Sequence, residues 1–453
     1  MTIFRSLRVR NYRLFASGQV VSLTGTWMQR VAQDWLVLEL SHNSGTAIGI
    51  TTGLQFLPLL VFGLYGGVLA DRYSKRMLLV WAQVAMGLCA LLLGVLDITG
   101  VVALWHVYAL AFALGVASAL DTPVRQAFVT ELVGPEELTN AVSLNSATFN
   151  TGRIFGPAIA GVMISRVGTA PVFLANAGSF AAVITGLLLM RESEMFLVGR
   201  TKRAAGQLRE GVRYVRTRPE LLLPIVLVGL VGTFGFNFQI TMALLAKTTF
   251  HRGAGAYGLL STMLAVGSLL GALVAAGRKR PRFSLLFGGA FAFGVLEVVV
   301  GLMPTYASFA ALLLPVGIAT ITFTTAANTS IQLASAPEMR GRVMAIYIMV
   351  FLGGTPVGAP LIGYLADVFG PRSTLVVGGV VSALSAVVIG VLLARRRDVH
   401  VARHSSPRPH LHVGGVRMPP RRVAAGMAAG MDAEMDAEMD AQPAPALPER
   451  RSA

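Results

Sequence analysis

Apolar stretches long enough to cross a bilayer recur along almost the whole chain. A helix needs about 20 apolar residues to span roughly 30 Å of hydrocarbon, and only 13% of the 453 residues are charged. The first stretch follows several arginines and lacks a small-residue cleavage site, which predicts a retained span, not a signal peptide. The sequence therefore predicts an all-α integral membrane protein with twelve spans, numbered in chain order: 14–40, 46–70, 77–97, 103–125, 139–165, 170–190, 221–246, 254–277, 284–303, 306–328, 343–366 and 373–394.

Lysine and arginine residues are distributed unevenly between the predicted loops. If the N-terminus is cytoplasmic, 31 of the 38 fall on the cytoplasmic side and 4 on the opposite side. This asymmetry agrees with the positive-inside rule for a chain with both termini in the cytoplasm. The formal net charge of +16 then reflects orientation, and no nucleic-acid partner is expected. Cys89 is the only cysteine, which excludes an intramolecular disulfide and a cysteine-based metal site.

The second half of the chain repeats the first. A shift of 202 residues aligns glycines of the two halves: Gly152 with Gly354, Gly156 with Gly358, and Gly161 with Gly363. We therefore expect two six-helix bundles, 1–190 and 221–394, joined by a cytoplasmic linker over 191–220 that contains an amphipathic helix. The composition of 395–453 predicts a disordered cytoplasmic tail. Parallel repeats of this kind place the substrate site between the bundles, near the middle of the membrane.

Four stretches carry a resemblance to a known family: FRSLRVRNYRLFASGQ at 4–19, GTWMQRVAQDW at 25–35, GGVLADRYSKR at 66–76 and ALDTPVRQAF at 119–128. The chain resembles the major facilitator superfamily, and its first half is similar to bacterial exporters of drugs, macrolides and enterobactin. The resemblance implies the major facilitator fold, a bacterial cytoplasmic membrane and export by exchange, usually against protons. The proton gradient would supply the energy without a bound cofactor, and we expect a single chain to be the functional unit.

The loop after span 2 resembles the gating motif G-x-x-x-D-R-x-G-x-R-R of that superfamily. The matching residues are Gly67, Asp71, Arg72, Lys75 and Arg76, and Ser74 replaces the second glycine. The resemblance implies that this loop forms a latch between the two halves. The alternative is an ordinary basic loop that follows the positive-inside rule.

Span 5 resembles the antiporter motif G-x-x-x-G-P-x-x-G-G. The matching residues are Gly152, Gly156, Pro157 and Gly161, and Ala160 stands in for one glycine. The glycines give the helix a thin face, and a proline in mid-span allows a bend. A plain packing face remains the alternative, because similarly spaced small residues occur in many pairs of membrane helices.

Spans 1, 7 and 10 carry polar residues at helical spacing although they are predicted to cross the membrane. The predicted cavity-lining residues are Ser22, Thr26 and Gln33 in span 1, Thr233, Asn237 and Thr241 in span 7, and Thr320, Thr324 and Asn328 in span 10. Residues four apart lie on nearly one helix face. Since the resemblance implies that spans 1, 4, 7 and 10 line the central cavity, these faces are predicted to meet water there.

Three ionisable residues, Arg30, Asp34 and Arg153, are predicted to lie inside the membrane near that cavity. A charge there costs at least about 2.5 to 3.5 kcal/mol unless it meets water or an opposite charge. Asp34 is the predicted proton carrier, because it should stay ionised beside Arg30 or Arg153 and take a proton when separated from them. The alternatives are a permanent Arg30–Asp34 bridge and a static interhelical bridge at Arg153. Asp121 and Arg125 in span 4 are predicted to form an inner gate pair or a simple structural salt bridge.

Three function classes were compared for such a chain. A proton-coupled exporter of amphipathic small molecules agrees best with the span 5 motif and with the resemblance of the first half. The same fold could instead import or facilitate a small polar metabolite. A scaffold or an enzyme is not expected, because the sequence contains no phosphate-binding loop, metal-ligand cluster or nucleophile–base arrangement.

Overall fold

The computed structural model describes residues 4–196, 207–277 and 283–396, except for the side chains of 64–68, 70, 71, 207, 208, 283 and 396. Ten helices in these ranges are long and apolar enough to cross a membrane. One of them, Leu104–Val167, holds two spans, because its backbone leaves helical geometry at Gly134 with φ 69°. The 31-residue helix Arg10–Leu40 adds a further span. The predicted all-α fold with twelve spans is therefore confirmed.

The spans follow one another along the chain, and the longest connection is the linker between spans 6 and 7. In chain order they are span 1 Arg10–Leu40, span 2 Gly45–Arg72, span 3 Lys75–Ile98, spans 4 and 5 within Leu104–Val167, span 6 Ala170–Leu188, span 7 Pro219–Phe234 with Phe238–Leu244 and the π-helical turn Leu245–Thr249, span 8 Ala254–Ala276, span 9 Phe283–Gly301, span 10 Tyr306–Ala334, span 11 Arg340–Phe369 and span 12 Pro371–Arg396.

Two of these spans differ from the sequence prediction. Spans 4 and 5 were expected to be separated by a loop, but helix continues on both sides of Gly134, whose positive φ is a conformation that glycine adopts at little cost. Span 7 was expected to be continuous, but it is interrupted between Phe234 and Phe238. At this break Gly235 lies so close to span 9 that a side chain there would be 2.7 Å from the ring of Phe293. Tertiary packing therefore decides where these helices bend.

The two halves pack against each other on one side of the membrane. We call the side on which span 1 begins the N-terminal side and the side on which it ends the far side. Spans 2 and 11 meet at their far-side ends, where Gly45 contacts the backbone of Gly363 and Gly49 contacts that of Ala359. Spans 5 and 8 meet in the same way, since Gly258 lies against the carbonyl oxygen of Pro157. One cluster of buried apolar residues also runs through both halves.

The N-terminal side is held together less tightly. Between the described parts of the two halves, the other helix contacts involve span 8 and the far-side segment Phe238–Leu244 of span 7. Spans 4 and 5 of the first half make no extensive contact with spans 10 and 11 of the second half within the described ranges. The space between the halves therefore opens toward the N-terminal side.

The linker and the tail are described only in part. A short helix, Gln207–Arg216, packs with Gly211 against Arg342 and Ile346 at the start of span 11. Glu210 also forms an ion pair of 2.7 Å with Arg342. The predicted disordered tail lies outside the described residues beyond Arg396, as does the linker segment 197–206. The predicted domain boundaries stay a prediction.

A polar cavity and charged seam as the candidate functional site

A polar cavity of about 470 Å³ lies among the spans of the first half. Its wall includes three predicted residues of span 1, Ser22, Thr26 and Arg30, which share one helix face. Span 4 contributes Asp121 and Arg125, the predicted gate pair. The remaining polar wall was not predicted: Gln55, Gln83, Ser118, Thr122, Gln126, Asn145, Ser146 and Asn150. The cavity thus offers many hydrogen-bonding groups but few charges.

A smaller cavity of about 200 Å³ lies on the seam between the halves. The first half contributes Trp27, Arg30 and Arg153, and the second half contributes Ser261 of span 8 and Thr320 of span 10. Trp27 and Arg30 also line the larger cavity, so the two spaces share a wall. We call this smaller space the seam cavity. It brings together two of the three predicted membrane charges, both on helices of the first half, and polar residues of the second half.

Asp34 lies beside this region but not on the wall of either cavity. Its side chain is buried, and its Oδ2 atom accepts a hydrogen bond of 2.6 Å from the hydroxyl of Tyr257 in span 8. This bond crosses the seam from the first half to the second. The predicted partners were Arg30 and Arg153. Tyr257 could not be predicted from local spacing, because the contact joins residues 223 positions apart.

The two buried arginines lack carboxylate partners among the described side chains. The guanidinium of Arg30 lies 4.6 Å from the ring centre of Trp27 and 5.6 Å from that of Phe56, where the aromatic faces attract a cation. Its Nε atom is nevertheless buried without a hydrogen-bond partner. Arg153 has two such atoms, Nε and Nη2. The structure therefore contains neither the permanent Arg30–Asp34 bridge nor a static bridge at Arg153.

The other predicted cavity residues are distributed over several places. Gln33 is buried and donates a hydrogen bond of 3.4 Å to Gln55. In span 7, Thr233 and Asn237 donate to backbone carbonyls one turn earlier, and Thr241 is paired with Thr374 of span 12. None of these four residues lines the cavities described here, and the break at Gly235 explains why the helical stripe of span 7 does not continue. Thr324 and Asn328 line a separate, open cavity of about 450 Å³.

Asp121 and Arg125 belong to a polar network inside the first half. Arg125 Nε lies 3.3 Å from Asp121 Oδ2, and its Nη1 atom donates a hydrogen bond of 3.0 Å to Gln19. Gln83 donates a hydrogen bond of 2.8 Å to the other oxygen of Asp121. The network therefore ties spans 1, 3 and 4 to one another. A gating role for the pair stays a prediction.

The basic residues of the gating motif bind the first half and the start of the linker. Lys75 forms an ion pair with Glu131 at the end of span 4. Arg76 donates hydrogen bonds to the carbonyls of Leu187 and Leu188 and forms an ion pair with Glu192. Arg72 is exposed. The surroundings of Gly67 and the side chain of Asp71 lie outside the described part. Lys75 and Arg76 thus do not latch the halves in this arrangement.

The glycines of the antiporter motif all face neighbouring backbones. Gly152 and Gly156 lie against span 1, where a side chain on Gly156 would come within 2.9 Å of the carbonyl oxygen of Thr24. Gly161 lies against Ala254 and Gly255 of span 8. The motif therefore forms a close packing face toward span 1 and the seam. Whether it also serves antiport stays a prediction.

A carboxylate on span 11 holds the far side closed. Asp367 accepts hydrogen bonds from the backbone NH groups of Gly45 and Thr46 and from the hydroxyls of Ser44 and Thr46. These donors form the start of span 2, where free NH groups and the helix dipole favour a negative charge. We call this cluster the far-side latch. Sequence analysis missed it, because it joins residues more than 320 positions apart.

We expect Asp367→Ala to open the far side. Hydrogen bonds to a charged group contribute about 1.5 to 3 kcal/mol, so losing roughly 2 kcal/mol shifts the closed-to-open ratio by roughly 30-fold. A thiol reagent should then label a cysteine introduced at the buried position Ile48 faster, in a Cys89→Ser background. Asp97→Ala is the control, since Asp97 bonds Thr169 within one half. Equal labelling rates in the two variants would contradict the latch.

Comparisons with known proteins agree with this architecture. The family described as "Transmembrane secretion effector" matches residues 1–421. The chain is 27% identical to the staphyloferrin A transporter of Staphylococcus aureus, over 81% of this chain and 92% of the relative. It is 28% identical to the multidrug efflux pump Tap of Mycolicibacterium fortuitum, over 83% and 94%. It is 26% identical to the enterobactin exporter EntS of Salmonella typhimurium, over 84% and 91%.

Solved structures show the same fold at low sequence identity. A bacterial homologue of the human lysosomal transporter Spinster, in an inward-facing and occupied conformation, superposes with a TM-score of 0.67 and 16% identity. The match covers 86% of this chain and 97% of that protein. Because the family profile covers most of the chain, the resemblance seen in the sequence is confirmed: the protein is a multi-pass membrane transporter of the transmembrane secretion effector family, within the major facilitator superfamily.

Proposed function

We propose that the protein exports amphipathic small molecules, such as drugs, macrolides or siderophores, in exchange for protons and by alternating access. The activities of the relatives support a small-molecule substrate and the outward direction, since Tap is a multidrug efflux pump and EntS an enterobactin exporter. We place both termini in the cytoplasm of a bacterium on the basis of the positive-inside rule. The N-terminal side is then cytoplasmic, and the polar cavity is open to substrate from within the cell.

The observation that carries proton coupling is the hydrogen bond between Asp34 and Tyr257. The two residues belong to opposite halves, so separating the halves on the far side must break the bond. In the closed arrangement Asp34 is buried behind the cavity wall, bonded to Tyr257 and one helical turn from Arg30. After opening, Asp34 loses Tyr257 and meets water from outside. Export in exchange for protons requires proton uptake from outside and release inside, and we assign both steps to Asp34.

Alternating access would couple this proton to the substrate. The far-side latch and the glycine contacts close one side while the cavity is open on the other. Rocking the halves about the seam would open the far side and close the N-terminal side, as expected for parallel six-helix repeats. The gradient of protons is the proposed energy source, with no bound cofactor, no nucleic-acid partner and no enzymatic step. A single chain contains both halves and is proposed to act as a monomer.

Transport by inverted membrane vesicles tests this function. The vesicles carry an imposed pH gradient and a pH-sensitive dye, and a panel of drugs, macrolides and siderophores is added in turn. We expect at least one compound to dissipate the gradient in vesicles that contain the protein and not in vesicles that lack it. If every transported compound crossed the membrane without any movement of protons, proton exchange would be overturned. Saturable uptake of a polar metabolite alone would favour the importer.

A further inference from the structure

We propose that the seam cavity is a subsite for the anionic group of the substrate, most simply a carboxylate, bound by Arg153 and Arg30. The inference rests on the proposed function, because it assumes that substrate occupies this space. It adds the charge of the preferred substrate, which neither the fold nor the family specifies. The preferred substrate is an amphipathic molecule that carries a carboxylate on an apolar body.

Unpaired donors are the first reason for this assignment. Arg153 has two buried nitrogen atoms without a partner, and Arg30 has one. Both residues contribute to the wall of the same cavity. A buried donor without a hydrogen-bond partner costs free energy, and the cost is larger for charged groups. A carboxylate satisfies a guanidinium with two parallel hydrogen bonds, which makes it the best-matched missing partner.

The balance of charge is the second reason. Three arginines, Arg30, Arg125 and Arg153, line the two cavities, whereas Asp121 is the only acidic residue among their described wall residues. Asp121 is already paired with Arg125. Asp34 lies behind the wall and is bonded to Tyr257. Even if Asp34 offsets Arg30, Arg153 has no counter-charge among the described residues. An anion would neutralise it, and a cation would add to an uncompensated positive charge inside the membrane.

The rest of the wall defines the body of the ligand. Apolar side chains of both halves surround the arginines: Trp27, Val31, Phe236, Phe238, Met242 and Leu264. Such a wall favours an aromatic or aliphatic group by burial of apolar surface. The volume of about 200 Å³ suits an anionic head with a ring or two. The shared wall with the larger cavity leaves room for the remainder of a bigger molecule.

A matched set of three probes tests the charge preference. 2-Naphthoate, 2-naphthamide and 2-naphthylmethylammonium share one apolar body and differ in charge. Their binding to the purified full-length protein in detergent, at neutral pH, is measured by calorimetry. We expect naphthoate to bind at least about 10-fold more tightly than the amide, as a charge-assisted pair would provide. The ammonium should bind more weakly than either.

Variants assign that preference to the seam. Arg153→Gln should reduce the naphthoate-to-amide ratio to about one, and Arg30→Gln should lower it as well. Arg153→Lys keeps the charge but loses the two-pronged geometry, so it should retain part of the ratio and shows that the site tolerates substitution. Arg166→Gln is the matched control, because Arg166 is an exposed residue of the same span. It should keep the ratio of the parent.

Three outcomes would overturn the subsite: no binding of naphthoate, equal or tighter binding of the amide or the ammonium, or a ratio that survives in Arg153→Gln and Arg30→Gln. These outcomes are distinct from failure of the proposed function, because the binding measurement requires no gradient. Absence of proton-linked transport with an intact anion preference would overturn the transport mechanism alone. Proton-linked export of neutral and cationic compounds, without the preference, would overturn the subsite alone.

Discussion

Asp34→Asn is expected to abolish proton movement coupled to substrate while leaving the protein folded in the membrane. Asparagine has nearly the same shape and can still accept the hydrogen bond of Tyr257, but it cannot take up a proton at neutral pH. In inverted vesicles, the substrate-dependent dissipation of the pH gradient should fall to the level of vesicles without the protein. Exchange of labelled for unlabelled substrate should continue, because that half-cycle needs no proton.

Two further variants make this result specific. Asp97→Asn changes another carboxyl group near the far side that bonds only within the first half, and it should preserve coupling. Tyr257→Phe keeps the ring and leaves Asp34 able to bind a proton, but it removes the link across the seam. Coupling should persist in that variant while the far side opens more readily. Unchanged proton movement in Asp34→Asn would remove this residue from the mechanism.

Access of protons to Asp34 depends on whether the far side around it is closed or open. The far-side latch, the glycine contacts and the Asp34–Tyr257 bond all lie in the far-side parts of their helices. All three join the first half to the second. A single rocking movement would therefore break them together, which links proton access to the opening of the seam. The gating-motif residues Lys75 and Arg76 take no part, since their partners lie in the first half and at the start of the linker.

The membrane spans and the family could be predicted because they depend on local properties. Hydropathy along the chain marks each span, and the glycine repeats mark the two halves. The cavity face of span 1 was also predictable, since Ser22, Thr26 and Arg30 follow helical spacing. Helical spacing did not predict the cavity face of span 7, because the spacing rule assumes an unbroken helix and span 7 is interrupted near Gly235.

The partners of charged residues could not be predicted from local spacing. Asp34 was expected to pair with an arginine, but the structure places Tyr257 at its oxygen. Asp367 showed no pattern in the sequence, because its four donors come from the start of span 2. Both contacts depend on how the halves are docked. Helical periodicity tells which face is polar, but not which residue of another helix meets it.

The largest effect on the conformational cycle is expected from Gly363→Leu. Gly363 lies against the carbonyl of Gly45, and a side chain there would also come within 3.0 Å of Thr46 Cα. Overpacking of this kind costs about 1 to 3 kcal/mol, so the closed far side should become roughly 5- to 150-fold less populated. Transport should fall nearly to background, and labelling of Ile48→Cys should rise. The open arrangement carries no such penalty, because it separates the two helices.

Gly341→Leu is the matched control, since Gly341 lies in the same span and faces open space. The repeat provides a second test. Gly161 is the counterpart of Gly363 and packs against the start of span 8 as Gly363 packs against the start of span 2. Gly161→Leu should therefore open the far side by the same mechanism through the other pair of helices. If Gly363→Leu left both labelling and transport like those of Gly341→Leu, the close approach of spans 2 and 11 would not be a requirement of the closed state.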